Sequence, residues 1–139
     1  MRSTVFYESW EMECCGDAFA VGDQVSWSVT PADEMTRARV GELPGGAAPA
    51  VEWLHDGHGQ ATEPIALSGT VGRIQAIWAR YELVDASSRA YEIVAGSQVA
   101  VDLLRAHRAD VENAPAESGD DTVMLGYLVS LDPPPHATT

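Results

Sequence analysis

The chain has 139 residues, 45% of them apolar and 21% charged, which fits one globular domain with a true core and excludes wholesale disorder. Its 21 acidic residues stand against 8 basic ones, giving a formal charge of −13 and a pI near 4.4. That field repels phosphate backbones and anionic lipid and argues against nucleic acid or membrane as partners. The basic residues are all arginine, scattered from Arg2 to Arg108 with no run among them. Absence of lysine beside abundant Ala, Gly, Val and Arg reads as the coding bias of a high-GC genome. No apolar stretch approaches the roughly 18 residues that span a bilayer, and the opening MRSTVFYESWEMEC turns acidic before a signal region forms. A cytoplasmic protein is expected.

In chain order, RSTVFY at 2–7 reads as an opening strand, its Val5 and Tyr7 alternating with Phe6. After ESWEMECCGDAF, the Gly22-Asp23 turn feeds a second strand with Val25, Trp27 and Val29 on one face. From Thr30 to Pro49 the Pro, Gly, Ala and Glu content marks a surface loop, with a short helical turn over Pro31–Arg39. VEWL at 51–54 reads as a short strand and HDGHGQATEP at 55–64 as a polar turn.

Residues 65–84, IALSGTVGRIQAIWARYELV, form the longest apolar run, and its β-branched content and two glycines predict one long or bent strand. RAYEIVAGSQVAV at 89–101 gives a strand, a turn at Gly96 and another short strand. In VDLLRAHRADVE at 101–112, Leu103, Leu104, His107 and Val111 fall near a helical stripe, the best helix candidate. The acidic AESGDD at 116–121 then leads into TVMLGYLVSLD at 122–132, a buried closing strand. Six or seven strands with one short helix predict a mainly β protein: a small barrel or two-sheet sandwich, SH3-like or OB-like by analogy. A single domain over 1–132 with a flexible tail at 133–139 is the expected organisation.

The residues that could carry chemistry are few. Cys14, Cys15, His55 and His58 supply the thiolate and imidazole ligands that zinc takes, although adjacent cysteines on an extended chain point to opposite faces. Cys14 and Cys15 could instead close a strained, easily reduced disulfide, or one could be a nucleophile served by His55 or His58 with Asp56 or Glu13 orienting the ring. The bland reading makes them one buried thiol, one half-exposed thiol and two loop histidines. No calcium loop is present, and the chain lacks the lysine that a phosphate-binding loop requires. Glu8, Glu11, Glu13 and Asp17 read as a solvated acidic face. Of the four tryptophans, Trp27 and Trp78 suit the core, while Trp10, among acids, suits a ligand or partner surface with Glu13 and Asp56.

Several of these segments carry a resemblance: Trp10-Glu-Met-Glu-Cys-Cys-Gly16, Val21-Gly-Asp-Gln-Val-Ser-Trp27, His55-Asp-Gly-His58, Ser68-Gly-Thr-Val-Gly-Arg-Ile74 and Gly126-Tyr-Leu-Val-Ser-Leu-Asp132. Together they cover most of the chain, which resembles a family of small acidic actinobacterial proteins of unknown function. The resemblance implies lineage and cytoplasmic residence and brings no catalytic residues with it. The expectation from sequence is therefore a non-enzymatic binding or accessory module. A metal-binding protein or small thiol enzyme built on Cys14, Cys15, His55 and His58, and an acidic protein that covers a basic surface of another protein, are the alternatives.

Overall fold

The computed structural model describes residues 2–14, 16–40, 51–56, 63–85, 87, 90–94, 96–115 and 121–133. Among them nine strands form: β1 Ser3–Glu8, β2 Phe19–Ala20, β3 Gln24–Pro31, β4 Trp53–His55, β5 Ile65–Asp85, β6 Ala90–Ile93, β7 Val99–Leu103, β8 Arg105–Ala106 and β9 Thr122–Asp132. Two helices, α1 Ser9–Cys14 and α2 Glu34–Val40, and a 3-10 turn at Arg108–Glu112 complete the described elements. The expected mainly β architecture is thus found, with helices that are short. No helix among the described residues is long and apolar enough to cross a membrane.

The pairings close on themselves. β3 lies antiparallel to β4, β4 runs parallel to β1, β1 is antiparallel to β9, β9 to β5, and the first third of β5 returns to β3. The result is a ring-like mixed sheet instead of a two-sheet sandwich. β7 and β6 extend it along the later part of β5, while β2 and β8 pair separately. Strand β5 can serve so many neighbours because it is 21 residues long and bends: its register shifts between Val71 and Arg73, opposite β9. A bulge adds one residue and reverses which face the following side chains occupy. So Val71 shares an apolar cluster with Ile74, Ala76 and Trp78, which alternate with Arg73, Gln75 and Ile77.

Two cores result. The inner one gathers Val5, Tyr7, Val29, Val71, Ile74, Tyr127, Val129 and Leu131. The outer one, with Phe6, Ile77, Ala79, Leu125 and Leu128, is covered by Val40 of α2 and by Val51. Strands β1 and β9 stand between them, buried on both faces over most of their length, so apolar residues follow one another at Val5–Tyr7 and Tyr127–Val129 without alternation. Strand β3 keeps one wet face and alternates, with Ser26 and Ser28 exposed and Val29 buried. Helix α2 starts where Asp33 caps it, its carboxylate accepting from the Thr36 N–H at 2.8 Å. That contact holds the Asp33 carboxyl below its ordinary range.

The helix expected over 101–112 is not there. Val99–Leu103 instead pairs with Ile74–Trp78, Arg105–Ala106 pairs with Phe19–Ala20, and the 3-10 turn follows. A free edge of β5 offers those residues a hydrogen-bond ladder, and the supposed stripe is not a buried face, since Leu104 is 81% exposed. The turn is fastened instead by Tyr127, whose hydroxyl donates to Asp110 Oδ2 at 2.8 Å. Of the surface loop expected from Thr30 to Pro49, the first part is the end of β3 and helix α2; residues 41–49, most of the polar turn at 55–64, the acidic segment up to residue 120 and the tail beyond Pro133 lie outside the described residues.

At Gly126 the β9 ladder jogs, Ile77 facing Gly126 and Trp78 facing Met124. A Cβ there would overlap the Tyr7 carbonyl oxygen and sit 2.9 Å from Glu8 Cα. Because β1 is fixed on both sides it cannot withdraw. Gly126→Ala is expected to destabilise the fold by about 2–3 kcal/mol, read as a lowered urea midpoint at unchanged slope.

Candidate functional site

The end of β1 determines the site. Parallel pairing of β1 with β4 sets Val5 against Trp53 and Phe6 against Leu54, which carries Tyr7 beside His55 on the inner face. Their rings stack with centroids 4.0 Å apart at 25°. Trp27, two residues before the Val29 that pairs with His55, meets the imidazole edge-on at 5.2 Å. Phe19 and Tyr127 close on Tyr7 from the other sides.

Immediately after β1 the chain turns into α1, and this single turn of helix places Glu11 and Met12 inward. Glu11 Oε2 lies 3.0 Å from His55 Nδ1, with only 3% of Glu11 and 8% of His55 exposed. A carboxylate has no hydrogen to give, so with Glu11 ionised the contact is made by an Nδ1–H. The other ring nitrogen, Nε2, makes no hydrogen bond among the described residues. Gly16 seals the turn: its N–H donates to the Glu11 carbonyl at 2.8 Å, and a Cβ there would overlap the Tyr7 hydroxyl.

Over this pair lies a cleft of about 210 Å³ between the start of α1 and the ends of β3 and β4. Its lining combines Glu8, Glu11 and Asp56 with Trp10, Thr30, Leu54 and His55. Glu8 organises the rim: one carboxylate oxygen accepts from Trp10 Nε1 at 2.8 Å, the other from Arg39 Nη1 at 2.7 Å. The Trp10 indole is thereby held at the mouth while 42% exposed.

Of the residues singled out from sequence, His55, Asp56 and Trp10 meet in this cleft. Glu13 is exposed on α1 and is not part of the lining. Cys14 ends α1 and is disulfide-bonded. Cys15 and His58 lie outside the described residues. Among the described residues no group of three or more His, Cys, Asp or Glu is arranged to hold a metal ion. As expected, Trp78 is core and Trp10 exposed, while Trp27 packs half-buried against the inner cluster.

Glu11 was the residue that sequence reasoning missed. It sits among Glu8, Glu13 and Asp17, and nothing local distinguishes the one acid that helix α1 turns inward. Its partner is 44 positions away in the sequence. Tyr7 and Leu54 were likewise read as strand residues only, and Thr30 as the start of the surface loop.

The site and fold define a class: a mainly β protein with a ring-like mixed sheet and a carboxylate–imidazole pair flooring a small cleft at one end. The chain belongs to the family of unknown function DUF6578, whose model matches residues 1–133. Among curated proteins and among solved structures, no match was found.

Burial, aided by the charges of Glu11 and Asp17, pushes the Tyr7 phenol up to about 12. Burial and the hydrogen bond to Asp110 push Tyr127 up as well. Both phenols ionise more readily in the unfolded chain, whose tyrosines titrate near 10. Stability is therefore complete below pH 10 and falls as pH rises from there through about 12. Absorbance at 295 nm should show two tyrosines that resist ionisation past pH 10, and Tyr7→Phe should make the alkaline loss of stability shallower.

Proposed function

We propose that the protein is a non-enzymatic binding module and that the cleft over His55 is its ligand site. The observation that carries this reading is the buried Glu11–His55 pair at the cleft floor. Taking a carboxylate and an imidazole out of water carries a desolvation cost that a buried ion pair often fails to recover, so stability alone explains the 3.0 Å pair poorly. At the base of a concavity it offers one ring nitrogen to an incoming group. A volume of about 210 Å³ suits a fragment-sized ligand or one side chain of a partner. The cytoplasmic residence and actinobacterial lineage read from the sequence belong to this reading too.

The same geometry favours one second reading, a small acid–base enzyme, because a carboxylate on Nδ1 fixes the imidazole so that Nε2 can exchange a proton with a bound substrate. The thiol-based version is weakened by the disulfide at Cys14. Zinc held by Cys14, Cys15, His55 and His58 would require that disulfide to be reduced, and is not adopted.

The test is a ligand-observed NMR screen of neutral, cationic and anionic fragments against the protein and a Thr30→Trp variant. The substitution places an indole at Thr30, one of the residues that line the cleft, and leaves Glu11 and His55 themselves unchanged. Fragments that compete with one another and weaken at least tenfold in Thr30→Trp, with the variant's melting curve unchanged, are expected. Hits indifferent to Thr30→Trp, or none at all, would remove the site. Conversion of a bound fragment to product would transfer the assignment to the enzyme reading.

A further inference from the structure

We propose that the outer edge of strand β6 is a docking site for an extended segment of a partner protein in which apolar and basic residues alternate. This surface lies apart from the cleft over His55 and stands independently of it. In the antiparallel ribbon of β5 and β6, Tyr81 opposes Ile93, Glu82 opposes Glu92 and Leu83 opposes Tyr91. Side chains therefore alternate between an apolar face, with Tyr81, Leu83, Tyr91 and Ile93, and a face carrying Glu82 and Glu92. The apolar face prolongs the outer core, against which Tyr81 and Ile93 pack. One step further out, Leu83 is 47% and Tyr91 62% exposed. Val123 of β9, opposite Ala79 on the same face, is exposed as well. Apolar side chains of three strands thus stay uncovered, among the described residues, where the outer core runs out.

The backbone supplies a second observation. β6 ends the strand order of its sheet. The Val94 N–H donates to the Arg80 carbonyl at 2.8 Å, and backbone groups alternate in direction along a strand, so Glu92 also faces β5 while the N–H and C=O of Tyr91 and Ile93 point outward. Among the described residues nothing pairs with those outward groups. An added strand would complete the ladder there. Its residues opposite Tyr91 and Ile93 would join the apolar face, and the residue between them would stand against Glu92.

Charge selects the occupant. Glu82 and Glu92 are exposed like charges set directly across from one another, an arrangement that works against the pairing of β5 with β6. Neither has a side-chain partner among the described residues, and Arg80, two positions before Glu82, forms no ion pair with them. A lysine or arginine opposite Glu92 would relieve that opposition. A second copy of this chain does the reverse: pairing about a two-fold axis at Glu92 sets one Glu92 against the other with a Glu82 beyond each. Registers to either side shorten the ladder on an edge of only four residues, and the net charge of −13 on each copy adds to the repulsion. The edge therefore suits a basic partner and rejects its own kind.

The experiment titrates ¹⁵N-labelled full-length protein with acetyl-Lys-Val-Lys-Val-Lys-amide, in about 0.15 M salt to screen unspecific attraction. Two peptides serve as controls: acetyl-Val-Lys-Lys-Lys-Val-amide, which keeps the composition and breaks the alternation, and acetyl-Glu-Val-Glu-Val-Glu-amide, which keeps the alternation and reverses the charge. The alternating basic peptide should bind saturably with a Kd on the order of 1 mM, shifting the Tyr91 and Ile93 amide signals most and slowing their exchange with solvent. Both controls should bind about tenfold more weakly. Glu92→Lys, which turns the opposed pair into a complementary one, should lose the basic peptide and admit the acidic one. Tyr91→Pro, which removes an outward N–H and none directed at β5, should weaken binding about tenfold; if it loosens the ribbon, Glu92→Lys decides alone.

Other occupants show themselves in the same samples. Amides of Tyr91 and Ile93 that exchange slowly in the free protein would mean that the chain itself covers this edge. A dimer whose contacts include Tyr91 and Ile93 would assign the edge to a second copy. Either result overturns the proposal, as do equal binding of the non-alternating peptide, shifts confined to other strands, and indifference of the basic peptide to Glu92→Lys. Rapid exchange of both amides in the free protein, followed by their protection in the presence of the alternating basic peptide alone, supports it.

Discussion

The parallel pairing of β1 with β4 is the constraint on which the rest depends. Two strands only six and three residues long, far apart in sequence, bring Tyr7 and His55 side by side and point both rings into the inner core. The imidazole is thereby buried, and a buried imidazole requires a partner for its polar edge. Helix α1, which begins at the residue after β1 ends, supplies Glu11 at 3.0 Å. One short register thus fixes the aromatic stack, the ion-pairing geometry and the floor of the cleft. Gly16 and Gly126 lack side chains where the backbone or hydroxyl of this same strand end approaches them.

The architecture around that register explains why the site can be rigid in so small a protein. β1 is held by β4 on one side and by six paired residues of β9 on the other. Both its faces are buried, one against the inner core and one against the core under α2. A site at the end of such a strand cannot drift without disturbing two cores. Only the rim, where Glu8, Trp10 and Arg39 are joined by side-chain hydrogen bonds, depends on exposed groups.

Much of the fold was legible in the sequence, and the reasons are local. Val25, Trp27 and Val29 alternate after a Gly-Asp turn, and the structure gives β3 there. The apolar run at 65–84 became β5, whose bend was foreshadowed by its two glycines, one of them at the bulge beside Asp132. The closing run at 122–132 is β9, residue for residue. Where the reading failed, long-range pairing won: the segment from Val101 onward has spacing compatible with a helix, but β5 offered its first residues a ladder. The site was half legible. His55, Asp56 and Trp10 stood out as residue types, while Glu11 was one acid among several. Its burial follows from the chain reversing into α1 and from a contact that no local pattern encodes.

The central claim is that Glu11 and His55 act as one buried unit. A double-mutant cycle by urea unfolding, using Glu11→Ala, His55→Ala and the pair together, measures that directly. Removing either partner alone deprives the other buried group of this contact, so the account expects the single changes to be strongly non-additive, with a coupling of about 1.5–3 kcal/mol. Additivity within about 0.5 kcal/mol would mean the two side chains are neighbours without being a pair, and the floor of the cleft would have to be explained otherwise.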